Sequence, residues 1–351
     1  MTTEAKLPAL WRGESPDPAA ADAAATVSKW RGPDGLSQSG PHAVICVPTF
    51  RRPDMLRRTL QSLADQITQI PFALVVVDND PVGMSGVPVA EAFFANGLLS
   101  GFCVVEAQSG NCRACNRAFA EARARFGSAQ YLLMIDDDEV ADPEWLDRMV
   151  DAARRHNAEI VGGPVVPHFV DGAARAFAHH PVYWPAYDKS GFTPMIYGSG
   201  NFLIRRDAFE RLSHPEFDLR YNFLGGGDMD FFTRCRRAGF KFYWEQSARI
   251  VETVPGDRVR TAWVIQRGLR IGAINYLVDK SGSRSAAGRA KLVAKNGALL
   301  PLSVFRFLML LAQGRPALVC AHPMIVAIGR LTACLGFEPE QYRFKAAESK
   351  P

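Results

Sequence analysis

Short apolar runs alternate with segments of helical periodicity through the first part of the chain. The runs at 43–50, 72–77, 102–106 and 131–135 have the length of buried strands. Between them, apolar residues recur at the spacing of one helix face, as they do from Met55 onward. Three strand–helix steps that feed a fourth strand predict an α/β fold with a mostly parallel sheet flanked by helices.

The apolar pattern continues less regularly after the fourth run. It predicts a helix at 143–155 and further strands at 159–167, 198–205 and 242–250. We therefore expect the sheet to be extended by strands from the second half of the chain.

The connection at 171–193 is rich in aromatic residues and proline and has no clear period. Its Tyr183, Trp184 and Tyr187 could stack on the faces of sugar rings. The alternative, which is the commoner fate of such residues, is that they pack over an edge of the sheet.

Four consecutive acidic residues, Asp136–Glu139, follow the fourth apolar run. Ligand-binding groups of open α/β sheets lie beyond the carboxyl ends of the strands, so we expect these acids in one crevice with Thr49, Asp78 and Gly110. Adjacent carboxylates repel one another, and Mg²⁺ or Mn²⁺, which prefers oxygen ligands and binds substrate phosphates, would hold them together. The alternative is a solvated acidic turn in which Asp142 caps the next helix.

A second acidic motif, Asp228 and Asp230, follows the three glycines Gly225–Gly227. The glycines give the loop backbone conformational freedom, and the acids lie at the start of a predicted helix. Asp228 could accept a proton or could simply be the N-cap of that helix. A metal-assisted displacement needs one group to hold the leaving phosphate and another to deprotonate the attacker, which favours the catalytic interpretation.

The composition is that of a globular protein with room for one large core and an appendage: 351 residues, 48% hydrophobic and 22% charged. The net charge of +5 is mild and the basic residues are dispersed, so no nucleic acid is indicated as a partner. Seven cysteines without an apolar signal segment indicate a reducing, cytoplasmic compartment. Cys112 and Cys115 have the spacing of a redox or zinc pair, which we interpret as coincidence because no second pair accompanies them.

Both ends of the chain differ from the region between them. Residues 1–40 are rich in Ala, Pro, Gly, Asp and Ser, which favours a disordered or loosely packed leader. Apolar stretches at 298–312 and 316–329 are shorter than the roughly 20 residues of a membrane-spanning helix and have basic neighbours. They suit helices lying in an anionic membrane interface, or equally a helical pair packed on the domain or on a second subunit.

Taken together, five sequence motifs resemble the family 2 glycosyltransferases of GT-A fold. They are VPTFRRPDMLRRTLQSLADQ, VVVDNDP, IDDDEVADPEWL, GSGNFLIRR and GGGDMDFFTRCRRAGF, in family order over about residues 43–276. They look most like inverting enzymes of bacterial exopolysaccharide assembly, of the succinoglycan glucosyltransferase type. The resemblance implies a GT-A domain with a Rossmann-like sheet at 41–276 and a helical, membrane-associated or packed extension at 277–351.

The resemblance implies roles in donor binding for residues at the ends of the first two strands. The loop of Thr49 and Arg51 is similar to the one that contacts the nucleotide. Asp78 matches the acid that reads the uracil base, so the expected donor is a UDP-sugar. Asn79 follows it as a further substrate-binding candidate.

The resemblance also implies roles in the chemistry. Asp136 and Asp138 match the family's D-x-D pair, the first directed toward the ribose and the second bound to the Mg²⁺ or Mn²⁺ that bridges the diphosphate. Glu252 falls where members often use a late histidine or acid near the metal. Asp228 matches the catalytic base, with Asp230 as a substrate-binding candidate. The expected acceptor is a saccharide, carried on a polyprenyl lipid, at the inner face of the cell membrane.

Two positions depart from the family pattern. Gly227 stands where glutamate commonly precedes the base, and Cys115 precedes Asn116 where the family commonly has arginine. Asn116 is still a candidate for nucleotide binding, but these changes keep open a non-catalytic binding or scaffold subunit of the same fold. A sugar-phosphate nucleotidyltransferase is a further alternative, although the segment 48–50 lacks the glycine-rich phosphate loop that it would need.

Overall fold

The computed structural model describes residues 26–27, 40–170, 177, 180–283 and 285–336. The strands, in chain order, are β1 Thr26–Val27, β2 Ala43–Thr49, β3 Phe72–Asp78, β4 Gly101–Val105, β5 Tyr131–Met134, β6 Glu139–Ala141, β7 Ile160–Gly162, β8 Val165–Phe169, β9 Gly191–Thr193, β10 Phe202–Arg205, β11 Phe242–Trp244 and β12 Ile250–Val254. The helices are α1 Pro53–Ala64, α2 Val87–Ala95, α3 Asn111–Arg125, α4 Trp145–Arg155, α5 Arg206–Arg211, α6 Gly227–Arg237, α7 Thr261–Gly282, α8 Ala286–Ala312 and α9 Ala317–Cys334, with short 3₁₀ turns at Leu219–Tyr221 and Gly256–Arg258. The predicted α/β class is confirmed.

Within these residues, a nine-stranded sheet has the order β1-β4-β3-β2-β5-β10-β7-β11-β9. Its central strands β4, β3, β2 and β5 are parallel, as predicted, and β10 runs antiparallel between β5 and β7. Thr49 at the end of β2 pairs in register with Asp78 at the end of β3. The polar residues that follow the central strands therefore meet at one edge of the sheet.

Two hydrophobic clusters cover the two faces of this sheet, because successive side chains of a strand point to opposite faces. In β2, Val44 and Cys46 belong to one cluster, while Ile45 and Val47 belong to the other. The apolar face of α1, which includes Leu56, packs into the second cluster and α3 packs into the first. A core on both faces explains why the strands are continuous apolar runs without alternation.

Two predicted strands are each divided between two sheets. The prediction at 159–167 corresponds to β7 in the large sheet and β8 in a second, three-stranded sheet of order β6-β12-β8. The predicted strand at 242–250 likewise contains β11, which belongs to the large sheet. Its last residue, Ile250, is the first residue of β12, which belongs to the small sheet. The chain leaves the large sheet at Gly163, where an added Cβ would lie 2.1 Å from the Ala248 carbonyl oxygen. The small sheet matters for the site because it pairs Glu139 with Glu252.

The start of α4 also differs from the prediction. The helix begins at Trp145 with Glu144 as its N-cap residue, and no side chain caps it. Asp142 instead donates its backbone N–H to the Arg249 carbonyl. The predicted capping role of Asp142 is therefore wrong, because this residue is held by the small sheet.

Little of the N-terminal segment is described. Thr26 and Val27 pair with β4 in antiparallel register, so this part of the segment extends the large sheet. The rest of the predicted leader, up to residue 39, lies outside the described residues.

The predicted helical extension at the C-terminus is confirmed. Helices α7 and α9 cross so closely that a Cβ at Gly272 would lie 2.1 Å from the Val326 carbonyl oxygen. The buried Arg330 of α9 forms an ion pair with Asp279 of α7 at 2.6 Å and donates to Asn296 of α8 at 2.8 Å. Because these contacts join all three helices, the extension forms a packed helical unit.

Helices α8 and α9 extend beyond the apolar stretches seen in the sequence. With 27 and 18 residues, they are long and apolar enough to cross a membrane by length and composition alone. The core helices of soluble proteins meet the same criterion.

Candidate active site

Asp78 organises the loop that follows β3. It is fully buried, and its carboxylate accepts the backbone N–H groups of Asp80 at 3.0 Å and Gly86 at 2.7 Å. A Cβ at Gly86 would lie 2.9 Å from Asp78 Oδ2, so the close approach needs glycine. Burial raises the pKa of Asp78, and these backbone hydrogen bonds act in the opposite direction.

Contacts between loops join the ends of the parallel strands. Arg51 has a left-handed backbone, with φ of 55°, and its Nε donates to Asp80 Oδ2 at 2.7 Å. Asn79 accepts the backbone N–H of Gly110 at 2.6 Å and donates to the Gln108 carbonyl at 2.9 Å. The crevice predicted at the carboxyl ends of the strands is therefore lined by polar groups with fixed positions.

The acidic run after β5 lies in the same crevice and is largely buried. Asp137 Oδ2 accepts the Thr49 hydroxyl at 2.7 Å, and Asp137 and Asp138 are only 5% and 9% exposed. Nη1 of Arg52 lies 3.2 Å from Asp137 Oδ1 and 2.8 Å from Asp138 Oδ2. This burial contradicts the alternative of a solvated acidic turn.

Glu139 and Glu252 bring further carboxylates to the run. The buried Glu139 accepts the Asp136 backbone N–H at 2.7 Å and pairs across the small sheet with Glu252. Glu252 in turn accepts from Arg258 Nη1 at 2.9 Å. Within the run, Asp138 and Glu139 thus lie close to Asp136, and Glu252 adds a carboxylate from the neighbouring strand.

Burial and mutual repulsion raise the pKa of several of these acids. Burial is the main cause for Asp136, followed by the charges of Asp138 and Asp137, and together they raise its pKa well above the usual range. Burial also raises the pKa of Glu252, and the nearby charge of Asp138 adds to the effect. Concentrated negative charge in a poorly solvated crevice is relieved by a bound cation.

The donor set suits a divalent cation, although it is not pre-arranged around one. In the described part of the chain, no group of three or more His, Cys, Asp or Glu side chains is positioned to hold a metal. The carboxylates of Asp136, Asp138 and Glu252 supply the oxygen-only ligands that Mg²⁺ and Mn²⁺ prefer. At present the guanidinium of Arg52 supplies the positive charge that Asp138 contacts.

Asp228 is on the first turn of α6, at the second residue of the helix. The N-cap is Gly226, whose left-handed φ of 90° suits glycine, so the prediction of Asp228 as N-cap is wrong. The half-buried Asp228 carboxylate reaches across to accept the Gly198 backbone N–H at 2.9 Å. One carboxylate oxygen is thus held in place by the loop before β10.

The loop Gly198–Gly200 connects the two acidic groups. Gly198 donates to Asp228, while a Cβ at Gly200 would lie 2.1 Å from Glu139 Oε1. Two peptide steps span at most roughly 7 Å, so the two carboxylates flank one short loop. The charges of Asp136 and Asp228 also both raise the pKa of the buried Cys115 thiol. The two groups of acids therefore lie close to one another, on either side of this loop.

Two predicted substrate-binding residues are engaged in structural contacts. Asp230 is buried and forms an ion pair with Arg234 at 2.8 Å. Asn116 donates to the Phe217 carbonyl at 2.9 Å and accepts the Phe217 backbone N–H at 2.7 Å. Arg234 in turn donates to the Glu216 carbonyl at 2.7 Å, so these contacts hold α6 and α3 against the segment near 217. They give no support to substrate contacts by Asp230 or Asn116.

The departure at Gly227 has a steric reason. A Cβ at this position would lie 2.6 Å from Cys112 Sγ. Cys112 is itself buried, and burial raises the pKa of its thiol to about 12, as expected of an inert cysteine rather than a redox or zinc ligand. Gly227 and Cys112 are therefore matched to one another.

The aromatic connection divides between packing and the site. Tyr187 donates its hydroxyl to the Met195 carbonyl and packs against Trp244, as in the packing alternative. Tyr183 stacks on Trp263 with a centroid distance of 5.6 Å and donates to the Arg258 carbonyl. Because Arg258 pairs with Glu252, this stack lies next to the acidic cluster.

The sequence pattern did not single out Arg52, which the structure places against the acidic run. No local pattern distinguishes Arg52 from its neighbour Arg51. Glu139 was expected in the crevice as the last acid of the run, but its close approach to Gly200 joins residues far apart in sequence.

The sequence is similar to that of known proteins over most of its length. Residues 44–213 match the family model described as glycosyl transferase family 2. The succinoglycan biosynthesis protein ExoM of Rhizobium meliloti is 31% identical over 316 residues, which cover 86% of this chain and 96% of that protein. The glucosyl-dolichyl phosphate glucuronosyltransferase of Haloferax volcanii is 27% identical over 47% of this chain and 52% of that protein.

The fold is similar to that of a solved GT-A enzyme. The mannosyltransferase PcManGT of Pyrobaculum calidifontis, in complex with GDP-Man and Mn²⁺, aligns with a TM-score of 0.53 and 18% identity. The alignment covers 84% of this chain and 88% of that one.

Proposed function

The chain belongs to glycosyl transferase family 2 and is a glycosyltransferase of polysaccharide biosynthesis, and we propose that it transfers a sugar from a UDP-sugar to a lipid-linked saccharide with inversion. The observation that carries this proposal is the pair of acidic groups on either side of the loop Gly198–Gly200. One group suits the donor diphosphate and the other suits the acceptor hydroxyl.

Asp228 is proposed as the general base. One oxygen is held by Gly198, and the half-buried carboxylate is still partly accessible. The acceptor hydroxyl would give its proton to Asp228 while its oxygen attacks the anomeric carbon, and the bond to the nucleoside diphosphate breaks on the opposite side. General-base help of this kind contributes roughly 10²- to 10⁴-fold to the rate.

Asp138 and Glu252 are proposed as metal ligands, with Asp136 beside them toward the ribose. When bound, Mg²⁺ or Mn²⁺ would neutralise the charge that grows on the departing diphosphate. The oxygen-only donor set and the raised pKa values of Asp136 and Glu252 support this role. The Mn²⁺ of the mannosyltransferase complex is consistent with it.

The donor is proposed to bind along the loops that follow β2 and β3. Thr49, Arg51 and Asn79 are fixed there by hydrogen bonds between loops, and Asp78 is fixed by the backbone of the loop that follows β3. The choice of UDP rests on the resemblance at Asp78, and a relative that acts on glucosyl-dolichyl phosphate supports a lipid-linked acceptor.

The C-terminal extension is proposed to hold the enzyme on the cytoplasmic face of an anionic membrane. Leu302, Phe305 and Leu308 of α8 are 59%, 61% and 56% exposed, although they are large and apolar. Arg306 and Arg315 lie close to them in the sequence and could interact with anionic headgroups. An apolar surface with basic neighbours is the composition of an interfacial helix.

A release assay tests the proposed activity. The purified protein is incubated with UDP-sugars, Mn²⁺ and a lipid extract from a polysaccharide-producing bacterium, and free UDP is measured. We expect UDP release that depends on the lipid and is abolished by EDTA.

Two other outcomes would contradict the proposal. Binding of UDP-sugar without release in any extract would favour the scaffold subunit, for which the missing carboxylate at Gly227 is the motivating observation. Formation of a nucleotide-sugar from a nucleoside triphosphate and a sugar phosphate would favour the nucleotidyltransferase.

A further inference from the structure

We propose that Arg52 is an exchangeable counter-ion of the acidic run, which competes with the metal at Asp138 until a nucleotide is bound. With nucleotide present, its guanidinium leaves Asp138 and interacts with the donor diphosphate. This inference rests on the proposed metal-binding role of Asp138.

The position of Arg52 makes it a competitor of the metal. Its Nη1 lies 2.8 Å from Asp138 Oδ2 and 3.2 Å from Asp137 Oδ1, so a single nitrogen neutralises both carboxylates. A guanidinium and a divalent cation cannot both contact the same carboxylate oxygen without strong repulsion in a poorly solvated crevice. Metal binding through Asp138 Oδ2 therefore requires Arg52 to move, and a cation bound through the other oxygen would still be weakened by repulsion from the guanidinium.

The two aspartates depend on Arg52 to different degrees. Asp137 also accepts the Thr49 hydroxyl at 2.7 Å and the Phe50 backbone N–H at 3.4 Å. For the Asp138 carboxylate, Arg52 is the one hydrogen-bond partner found within the described residues. Departure of Arg52 would leave Asp137 in place and free Asp138 alone, which is the behaviour required of an exchangeable ligand.

Arg52 is placed so that it can move. It is the N-cap residue of α1, but its side chain makes no capping hydrogen bond to that helix, and the side chain is 37% exposed. Its neighbour Arg51 points to Asp80, in the loop that is proposed to bind the nucleotide. A rotation of the Arg52 side chain toward this loop would bring its guanidinium to the proposed position of the diphosphate. Guanidinium groups bind phosphate oxygens in a bidentate manner.

The consequence is a coupling between metal and nucleotide. The free protein should bind metal weakly, because Arg52 occupies Asp138, and UDP should strengthen metal binding by drawing Arg52 away. By linkage, the metal should strengthen UDP binding by the same factor.

Mn²⁺ titration followed by electron paramagnetic resonance tests this role without measuring turnover. The full-length protein is titrated with and without UDP, as wild type, Arg52→Gln and Arg52→Lys. Arg58→Gln is the matched control, since Arg58 is exposed on the same helix. Asp138→Asn identifies the site, and circular dichroism verifies that each variant is folded.

We expect Arg52→Gln to bind Mn²⁺ about tenfold more tightly than wild type without UDP, and to gain less from UDP. Arg52→Lys keeps the charge and should keep the competition, and Arg58→Gln should match wild type. Unchanged or weaker Mn²⁺ binding by Arg52→Gln, at a site that Asp138→Asn abolishes, would overturn the role of Arg52 alone. If wild type binds no Mn²⁺ even with UDP, the proposed metal site fails and the inference fails with it.

Discussion

The contact between Gly227 and Cys112 gives a sharp quantitative prediction. An added Cβ at Gly227 would lie 2.6 Å from Cys112 Sγ, whereas the next neighbour, Phe217 Cβ, is at an ordinary 3.6 Å. Overpacking a buried contact costs about 1–3 kcal/mol, and replacing a helical glycine by alanine returns up to about 1 kcal/mol. Gly227→Ala should therefore destabilise the wild-type protein by about 0–2 kcal/mol.

Removal of the sulfur should reverse the sign of this effect. In a Cys112→Ala background the clash is absent, and Gly227→Ala should be neutral or stabilising by up to about 1 kcal/mol. The two substitutions should thus show a favourable coupling of about 1–3 kcal/mol, which is the range expected for residues in direct contact.

Urea denaturation of the four proteins, followed by tryptophan fluorescence, measures this coupling as a difference of unfolding free energies. Transfer activity should follow the same pattern, because Asp228 comes directly after Gly227 and its bond to Gly198 depends on the position of α6. Free energies that add to within about 0.5 kcal/mol would refute the steric explanation for glycine at this position.

Three further predictions concern the loop Gly198–Gly200 and the C-terminal helices. Gly200→Ala should lower both transfer and stability, the latter by about 1–3 kcal/mol in urea denaturation, because its Cβ would displace the Glu139 carboxylate that lies 2.1 Å away. Arg330→Ala should destabilise the helical unit by about 1–3 kcal/mol in thermal melts, because it leaves the buried Asn296 without its donor, while Asp279 keeps its ion pair with Lys295. Phe305→Ser should weaken co-flotation with anionic vesicles, because it removes an exposed aromatic side chain from α8.

Each of these has a control on the same chain. Gly127→Ala has open space around its Cβ and should leave transfer unchanged, so an equal loss from Gly200→Ala and Gly127→Ala would argue against the steric cause. Lys295→Ala removes a half-exposed partner of Asp279 and should cost less than about 1 kcal/mol. Ile67→Ser changes a residue 67% exposed outside the extension, and equal effects of this change and of Phe305→Ser would count against a membrane-facing α8.

The local parts of the fold could be predicted because each depends on the pattern of a short continuous segment of the sequence. The four parallel strands, the helices between them and the acids at their ends all follow from apolar runs interrupted by polar residues. The divided strands could not be predicted in this way. At Gly163 the chain changes sheets between two segments that both begin with apolar residues, IVG in β7 and VVPHF in β8, and the change of sheet is set by their different partner strands.

The candidate site was predictable only in part, for a related physical reason. Asp138 follows a strand and Asp228 begins a helix, and both positions are local features of the sequence. The hydrogen-bond partner of each carboxylate, in contrast, is a residue far away in the sequence. Asp230 comes two residues after the candidate base but pairs with Arg234, and Asn116 is hydrogen-bonded to the backbone of Phe217. Arg52 reaches Asp138 across 86 residues, a contact that no local pattern contains.

The division of work between the two acidic groups can be measured directly by comparing donor binding and transfer in Asp228→Asn and Asp138→Asn. Calorimetry gives the Mn²⁺-dependent affinity for the UDP-sugar, and the release assay gives the rate. Asp228→Asn should keep donor affinity and lose roughly 10²-fold or more in transfer, whereas Asp138→Asn should lose the Mn²⁺-dependent part of donor binding. Near wild-type transfer by Asp228→Asn would contradict the role of Asp228 as the general base. Mn²⁺-dependent donor binding that survives in Asp138→Asn would contradict the role of Asp138 as a metal ligand.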